Sequence, residues 1–140
     1  MMPRKARTYR PIPLLLICLT AGCACRGPAC HLGGESMVRT ELYFGRSMPG
    51  GQQVSAAQWA GFLESEVTPR FRQGLTVLDA NGQWLAATGK VVKERTKLLI
   101  LIYPDTPGNR SAIGEIIDAY KRRFKQQAVL RVAGRVGVSF

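Results

Sequence analysis

The sequence predicts an α+β domain of the ferredoxin-like kind: a β-α-β-β-α-β two-layer sandwich with a four-stranded antiparallel sheet and two helices on one face. Three observations predict it. The apolar spacing switches between period two and period 3.6 in that order along residues 39–140. The run Leu98-Leu99-Ile100-Leu101-Ile102 is apolar at every position, the mark of a strand covered on both faces or nearly so. Thr106-Pro107 opens a segment in which Ile113, Ile116, Ile117, Tyr120 and Phe124 recur at helical spacing.

The elements follow in order. Arg39 to Gly45 (RTELYFG) alternates as a strand, with Leu42 and Phe44 on one face and Glu41 and Tyr43 on the other. Met48-Pro49-Gly50-Gly51 breaks the chain. Ser55-Ala56-Ala57-Gln58 is a capping box, and Val54 can staple onto Trp59 one turn in. Trp59, Phe62, Leu63 and Val67 then form the apolar stripe of a helix that Pro69 ends. Leu75 to Asp79 is a short strand closed by Asn81-Gly82, with Gln83 to Ala86 as its continuation and Gly89 as a second turn. Lys90 to Tyr103 is the third strand. Lys121, Arg122, Arg123 and Lys125 crowd the last turns of the second helix, where cations complement its dipole. Ala128 to Val132 gives the last strand, with a break at Gly134 before any extension to Phe140. Right-handed crossovers put the first and third strands in the middle of the sheet.

Ahead of this body stands MMPRKARTYRPIPLLLICLTAGC: a basic head, a short apolar run and a small-residue site ending on cysteine. About ten apolar residues are too few for a permanent helix across some 30 Å of hydrocarbon, which needs roughly twenty. The segment resembles a bacterial lipoprotein signal, with Thr20-Ala21-Gly22-Cys23 as the processing box and Cys23 as the lipid-bearing residue; a conventional cleaved signal is the second reading. The expected division is a signal over 1–22, a lipidated tether over 23–37 and one domain over 38–140. Processing at Cys23 lowers the formal charge from +11 to +7. The expected location is outside the cytoplasm, on the periplasmic side and held to the membrane by lipid. Ala24, where an aspartate would signal inner-membrane retention, points to the outer membrane in a Gram-negative cell.

All four cysteines lie at or before position 30. With Cys23 acylated, Cys25 and Cys30 remain as a candidate disulfide. A zinc site on the three thiolates and His31, and a haem attachment on Cys25-x4-Cys30-His31, are the weaker readings, so no metal or cofactor is expected. Nucleic acid is a poor partner for an exported chain, despite a sequence pI of about 10.2, because the charge is spread out.

No nucleophile elbow, phosphate loop, zinc-protease helix or paired-carboxylate signature occurs, so no catalytic residue is assigned. Strand parity places Glu41, Tyr43, Lys97, Leu99, Leu101 and Tyr103 on the open sheet face, as a ligand or dimer surface. Glu41 and Lys97 then read as a cross-strand ion pair or as a poised acid/base pair beside Tyr43. Arg70 reads as a partner of Glu66 or Asp79, or else as an anion-binding residue. Trp84 reads as a core plug rather than a stacking platform.

The strings TELYFG (40–45), VTPRF (67–71), GLTVLD (74–79), GQW (82–84), ERTK (94–97) and AVLRV (128–132) resemble, in order, the bacterial proteins grouped as domain-of-unknown-function family 3574. The resemblance covers roughly Arg39 to Phe140. It implies a small exported protein, often with a lipoprotein-type leader, and no established activity. The chain departs from it in its basic character and in Gln73, where an acidic residue is usual. The leading expectation is a lipid-tethered, non-enzymatic module that binds an envelope protein or a small ligand. A small enzyme on a dimeric ferredoxin-like barrel is the alternative. A basic module lying on anionic surfaces through Lys121, Arg122, Arg123 and Lys125 is the third reading.

Overall fold

The computed structural model describes residues 34–140; the leader, Cys23 and the Cys25–Cys30 pair lie outside them. The elements are β1 (Glu35–Gly45), α1 (Ala56–Phe62), β2 (Thr76–Leu85), β3 (Val91–Tyr103), α2 (Pro107–Phe124) and β4 (Leu130–Val138). The sheet order is β2-β3-β1-β4 and every neighbouring pair is antiparallel. The first and third strands therefore occupy the centre, as in the ferredoxin-like arrangement.

The register decides which side chains share a face. Leu42 stands opposite Leu99, Thr40 opposite Leu101, Val38 opposite Tyr103 and Phe44 opposite Lys97. Leu42, Phe44, Leu99, Leu101 and Tyr103 are buried together with Trp59, Phe62 and Val67 from the first helical segment and Ile113, Ile116, Tyr120 and Phe124 from α2. Both helices thus cover the same side of the sheet. Phe44 is the centre of this packing, with ring centroids 5.3 Å from Trp59, 5.8 Å from Phe62 and 4.6 Å from Tyr120.

Local chemistry sets the helix ends. Ser55 Oγ accepts from the Gln58 N–H at 3.2 Å while the Ser55 N–H donates to Gln58 Oε1 at 2.9 Å, completing the capping box. After Phe62 the helix widens into one π-type turn, Leu63–Val67, in which the Thr68 N–H reaches back to the Leu63 carbonyl. Arg70 secures this end: it donates to the Glu66 carbonyl at 2.7 Å and to Glu66 Oε2 at 3.1 Å, and reaches Glu115 Oε2 on α2 at 3.1 Å. Thr106 caps α2 by accepting from the Asn109 N–H. Lys125, in the left-handed region at φ 53°, ends it.

Three boundaries differ from the sequence reading. β1 begins at Glu35, so the sheet reaches into the stretch expected to be tether. β2 runs straight through Asn81-Gly82, because these residues pair with Arg95 and Glu94 and neither has the positive φ that a tight hairpin turn requires. β4 likewise continues through Gly134, which pairs with Arg39.

Candidate functional site

The uncovered side of the sheet follows from the same register. On β1 it carries Met37, Arg39, Glu41 and Tyr43. Opposite Arg39, Glu41 and Tyr43 stand Ile102, Ile100 and Leu98 on β3, and Gly134, Val132 and Leu130 on β4. Thr76 and Leu78 of β2 complete the face. Leu78, Ile102, Leu130 and Val132 are exposed there, unusual for aliphatic side chains brought together on one face.

The expected face residues divide. Glu41 and Tyr43 lie on the open side, whereas Lys97, Leu99, Leu101 and Tyr103 lie on the helix side. Glu41 faces Ile100 across the strands and does not pair with Lys97. The reason is physical: a strand apolar at five consecutive positions has no period, so its parity is set by pairing and not by hydrophobicity. Lys97 instead lies 2.6 Å from Asp79, its cross-strand partner on β2, and this bond holds the Asp79 carboxyl below its ordinary value. Tyr103 is buried, with its hydroxyl 2.6 Å from Thr40 Oγ1. Arg70 is held by two carboxylates, which leaves it a structural tie between helices.

What the structure assembles around Glu41 is an array along one strand. The Tyr43 hydroxyl donates to Glu41 Oε2 at 2.7 Å, and Arg39 reaches Glu41 Oε1 at 2.9–3.1 Å. Residues i, i+2 and i+4 of β1 share a face, so RTELY carries this array in its own spacing, with no partner from β3. The Tyr43 hydrogen bond, with the Arg39 guanidinium beside it, holds the Glu41 carboxyl below its ordinary value despite some desolvation. The Tyr43 phenol is pushed up, because ionisation would cost that bond and set two anions side by side.

Next to the array lies an apolar cleft of about 540 Å³, lined among others by Met37, Leu75, Ile100, Ile102, Val138 and Phe140. Its volume is in the range that holds small ligands. Ile100 and Ile102 belong to both features, being the cross-strand neighbours of Glu41 and Arg39. The face therefore offers an apolar floor beside a hydrogen-bonding array in which Arg39 and Tyr43 fix the Glu41 carboxylate. Among the described residues no group of three or more His, Cys, Asp or Glu is arranged to hold a metal ion. No helix among them is long and apolar enough to cross a membrane.

Residues 39–140 match the family model described as protein of unknown function, DUF3574. The chain belongs to that family. No curated protein matches it. Among solved structures the chain is similar to a phage SAM lyase in complex with S-methyl-5'-thioadenosine, at TM-score 0.56 and 15% identity over 76% of this chain and 85% of that one. It is also similar to a phage SAM lyase in the apo state, at TM-score 0.48 and 14% identity over 75% and 92% of the two chains. At such identity the first likeness speaks for the fold alone. The DUF3574 body is thus an α+β sandwich of a four-stranded antiparallel sheet and two helices.

The array makes a pH prediction. Glu41 has a lowered folded pKa, so its contribution is present above its ordinary value of 4.5 and is lost as pH falls through the folded value. Tyr43 has a raised one, so its contribution is present below 10.0 and is lost as pH rises through the folded value. Carboxyl carbon NMR should find Glu41 titrating low in the native protein and shifted back upward in Tyr43→Phe; an unmoved midpoint would dismantle the array.

Proposed function

We propose that this protein is an exported, lipid-anchored bacterial envelope protein whose body is a non-enzymatic binding module. Its recognition surface is the open sheet face. The observation that carries this reading is the juxtaposition of the Arg39–Glu41–Tyr43 array with the cleft bordered by Ile100 and Ile102, on the side of the sheet the core does not use. The ligand chemistry this favours is an apolar body with a hydrogen-bonding head, either a small molecule or a side chain of an envelope partner. The leader supports the anchor: Cys23 follows a small-residue box after a basic head and an apolar run. The anchor site is the outer membrane where the cell is Gram-negative.

Two measurements test the two halves. Fractionation with acyl-chain labelling should give a labelled, membrane-bound wild type and an unlabelled Cys23→Ser; label retained in the variant would sink the anchor. For the face, native mass spectrometry and partner capture should recover a ligand or envelope protein with the wild type. Glu41→Gln with Ile102→Asp should lose it while circular dichroism shows the fold retained. Equal recovery with the double variant would move the binding site elsewhere.

One observation favours a second reading, a small enzyme closed by a second copy of the chain. A carboxylate and a phenol held 2.7 Å apart beside an open cleft are groups that acid/base chemistry uses. Light scattering separates the two, since a strict monomer leaves the cleft open to water.

A further inference from the structure

β2 and β3 extend well past the four-stranded sheet. Pairing of β1 with β3 ends at Gly45 and Thr96, whereas β2 and β3 remain paired as far as Leu85 and Val91. The protruding part is a two-stranded ribbon in which no residue from 81 to 95 is buried. Such ribbons are marginal in water and gain by being polar. This one does the opposite at its end. Trp84 is 48% exposed, Leu85 69% and Val91 56%. The connecting Ala86-Ala87-Thr88-Gly89 carries no charge, and residues 84–92 contain no acidic side chain. Trp84, expected as a core plug, is therefore outside the core, and its role lies at this tip.

The placement of the apolar groups says what they meet. Trp84 pairs with Val92 on one face of the ribbon, and Leu85 with Val91 on the other. A groove on a protein would cover one face and leave the second wet. A lipid interface surrounds the tip on all sides. Lys90 stands at the turn, and Lys93 and Arg95 stand behind the apolar end; Glu94, the acidic residue among them, accepts from the Ser47 N–H at 2.9 Å at the ribbon's base. An apolar end with a cationic collar matches an anionic bilayer, with indole at the boundary where it partitions best. The dimension also fits: three residues from the turn to Lys93 span about 10 Å at strand rise, and interfacial segments bury about 5–10 Å.

We propose that the β2–β3 hairpin tip inserts into the headgroup region of an anionic lipid bilayer, through Trp84, Leu85 and Val91 with Lys90 and Lys93 on phosphate. The inference rests on neither the Cys23 anchor nor the open-face ligand. It assigns the membrane contact to this hairpin; at the basic end of α2, Arg123 is held inward by Ser65 Oγ of the first helical segment and lies over Phe124.

The chain has two tryptophans, and Trp59 is only 4% exposed, so the emission difference between wild type and Trp84→Phe isolates the tip. The full chain is mixed with vesicles of phosphatidylcholine containing phosphatidylglycerol, and with phosphatidylcholine alone. Trp84 emission should shift to the blue on the anionic vesicles and be quenched by lipids brominated near the headgroup. Lys90→Gln with Lys93→Gln should weaken binding of the tip about 30-fold, from roughly 1 kcal/mol per cation. Leu85→Asp should abolish the shift without moving Trp59 emission. A chain bound to vesicles with Trp84 still open to aqueous quencher would overturn the proposal, and so would a Trp84 shielded only by an envelope protein.

Discussion

Phe44→Ala is expected to lower the unfolding free energy by about 3–5 kcal/mol, the cost of removing a buried aromatic side chain whose surroundings only partly collapse. Phe44 is fully buried near the C-terminal end of β1, and its ring meets Trp59, Phe62 and Tyr120 at once. These neighbours come from α1 and α2, so the cavity would lie where both helices join the sheet. A domain of this size has about 5–15 kcal/mol in total, so the variant should be marginal or unfolded at physiological temperature. The effect also reaches the site. Tyr43 is the next residue and shares its backbone, and the Tyr120 hydroxyl holds the Gly45 carbonyl at 2.8 Å just beyond. Urea unfolding checks the magnitude, with Phe44→Leu expected to recover a good part of it. A loss below about 1 kcal/mol would mean that the helices do not converge on this ring.

The fold was legible because local signals agreed with each other. The Ser55 box, the Thr106-Pro107 start and the stripe from Ile113 to Phe124 are consequences of helix ends and helical period, and the structure forms each of them. The family strings and the sheet order are likewise consistent with residues 39–140. The alternation of β1 holds, with Leu42 and Phe44 inward and Glu41 and Tyr43 outward; the parity of β3 and the reach of β2 and β3 differ. Lys97 and Tyr103 lie on the helix side and not on the open face, because an all-apolar strand carries no period and its parity is set by pairing. Asn81-Gly82 reads as a turn in isolation, yet the cross-strand partners Arg95 and Glu94 keep it extended. That extension carries Trp84 away from the core, a tertiary outcome that the residue type alone does not announce. Conversely, the Arg39–Glu41–Tyr43 array depends only on the period of one strand, and it could have been read directly.

Thr40→Val and Tyr103→Phe should each cost about 1–3 kcal/mol, while the double variant should be close to wild type. Thr40 Oγ1 and the Tyr103 hydroxyl lie 2.6 Å apart, both buried, in a register that sets Thr40 opposite Leu101 and Val38 opposite Tyr103. Removing one partner leaves the other a buried hydroxyl with no bond to replace it, whereas removing both leaves an apolar contact of similar shape. The coupling energy of the cycle should therefore be about as large as the two single losses together, about 2–6 kcal/mol. The pair matters for function because of where it sits in the alternation. Thr40 is inward between the outward Arg39 and Glu41, and Tyr103 is inward beside the outward Ile102. A slip of one residue between β1 and β3 would send the array into the core and the aliphatic core residues to the surface. This bond is specific to the observed register, which the packing of Leu42, Phe44, Leu99 and Leu101 also favours, and that register keeps the array and the cleft facing outward. Denaturant unfolding of the four proteins gives the coupling, and the Glu41 titration in the double variant reads the register. Purely additive losses would show that the two hydroxyls are not coupled; a Glu41 that no longer titrates low in the double variant would assign the outward array to their bond, and one that still does assigns it to the packing of Leu42, Phe44, Leu99 and Leu101.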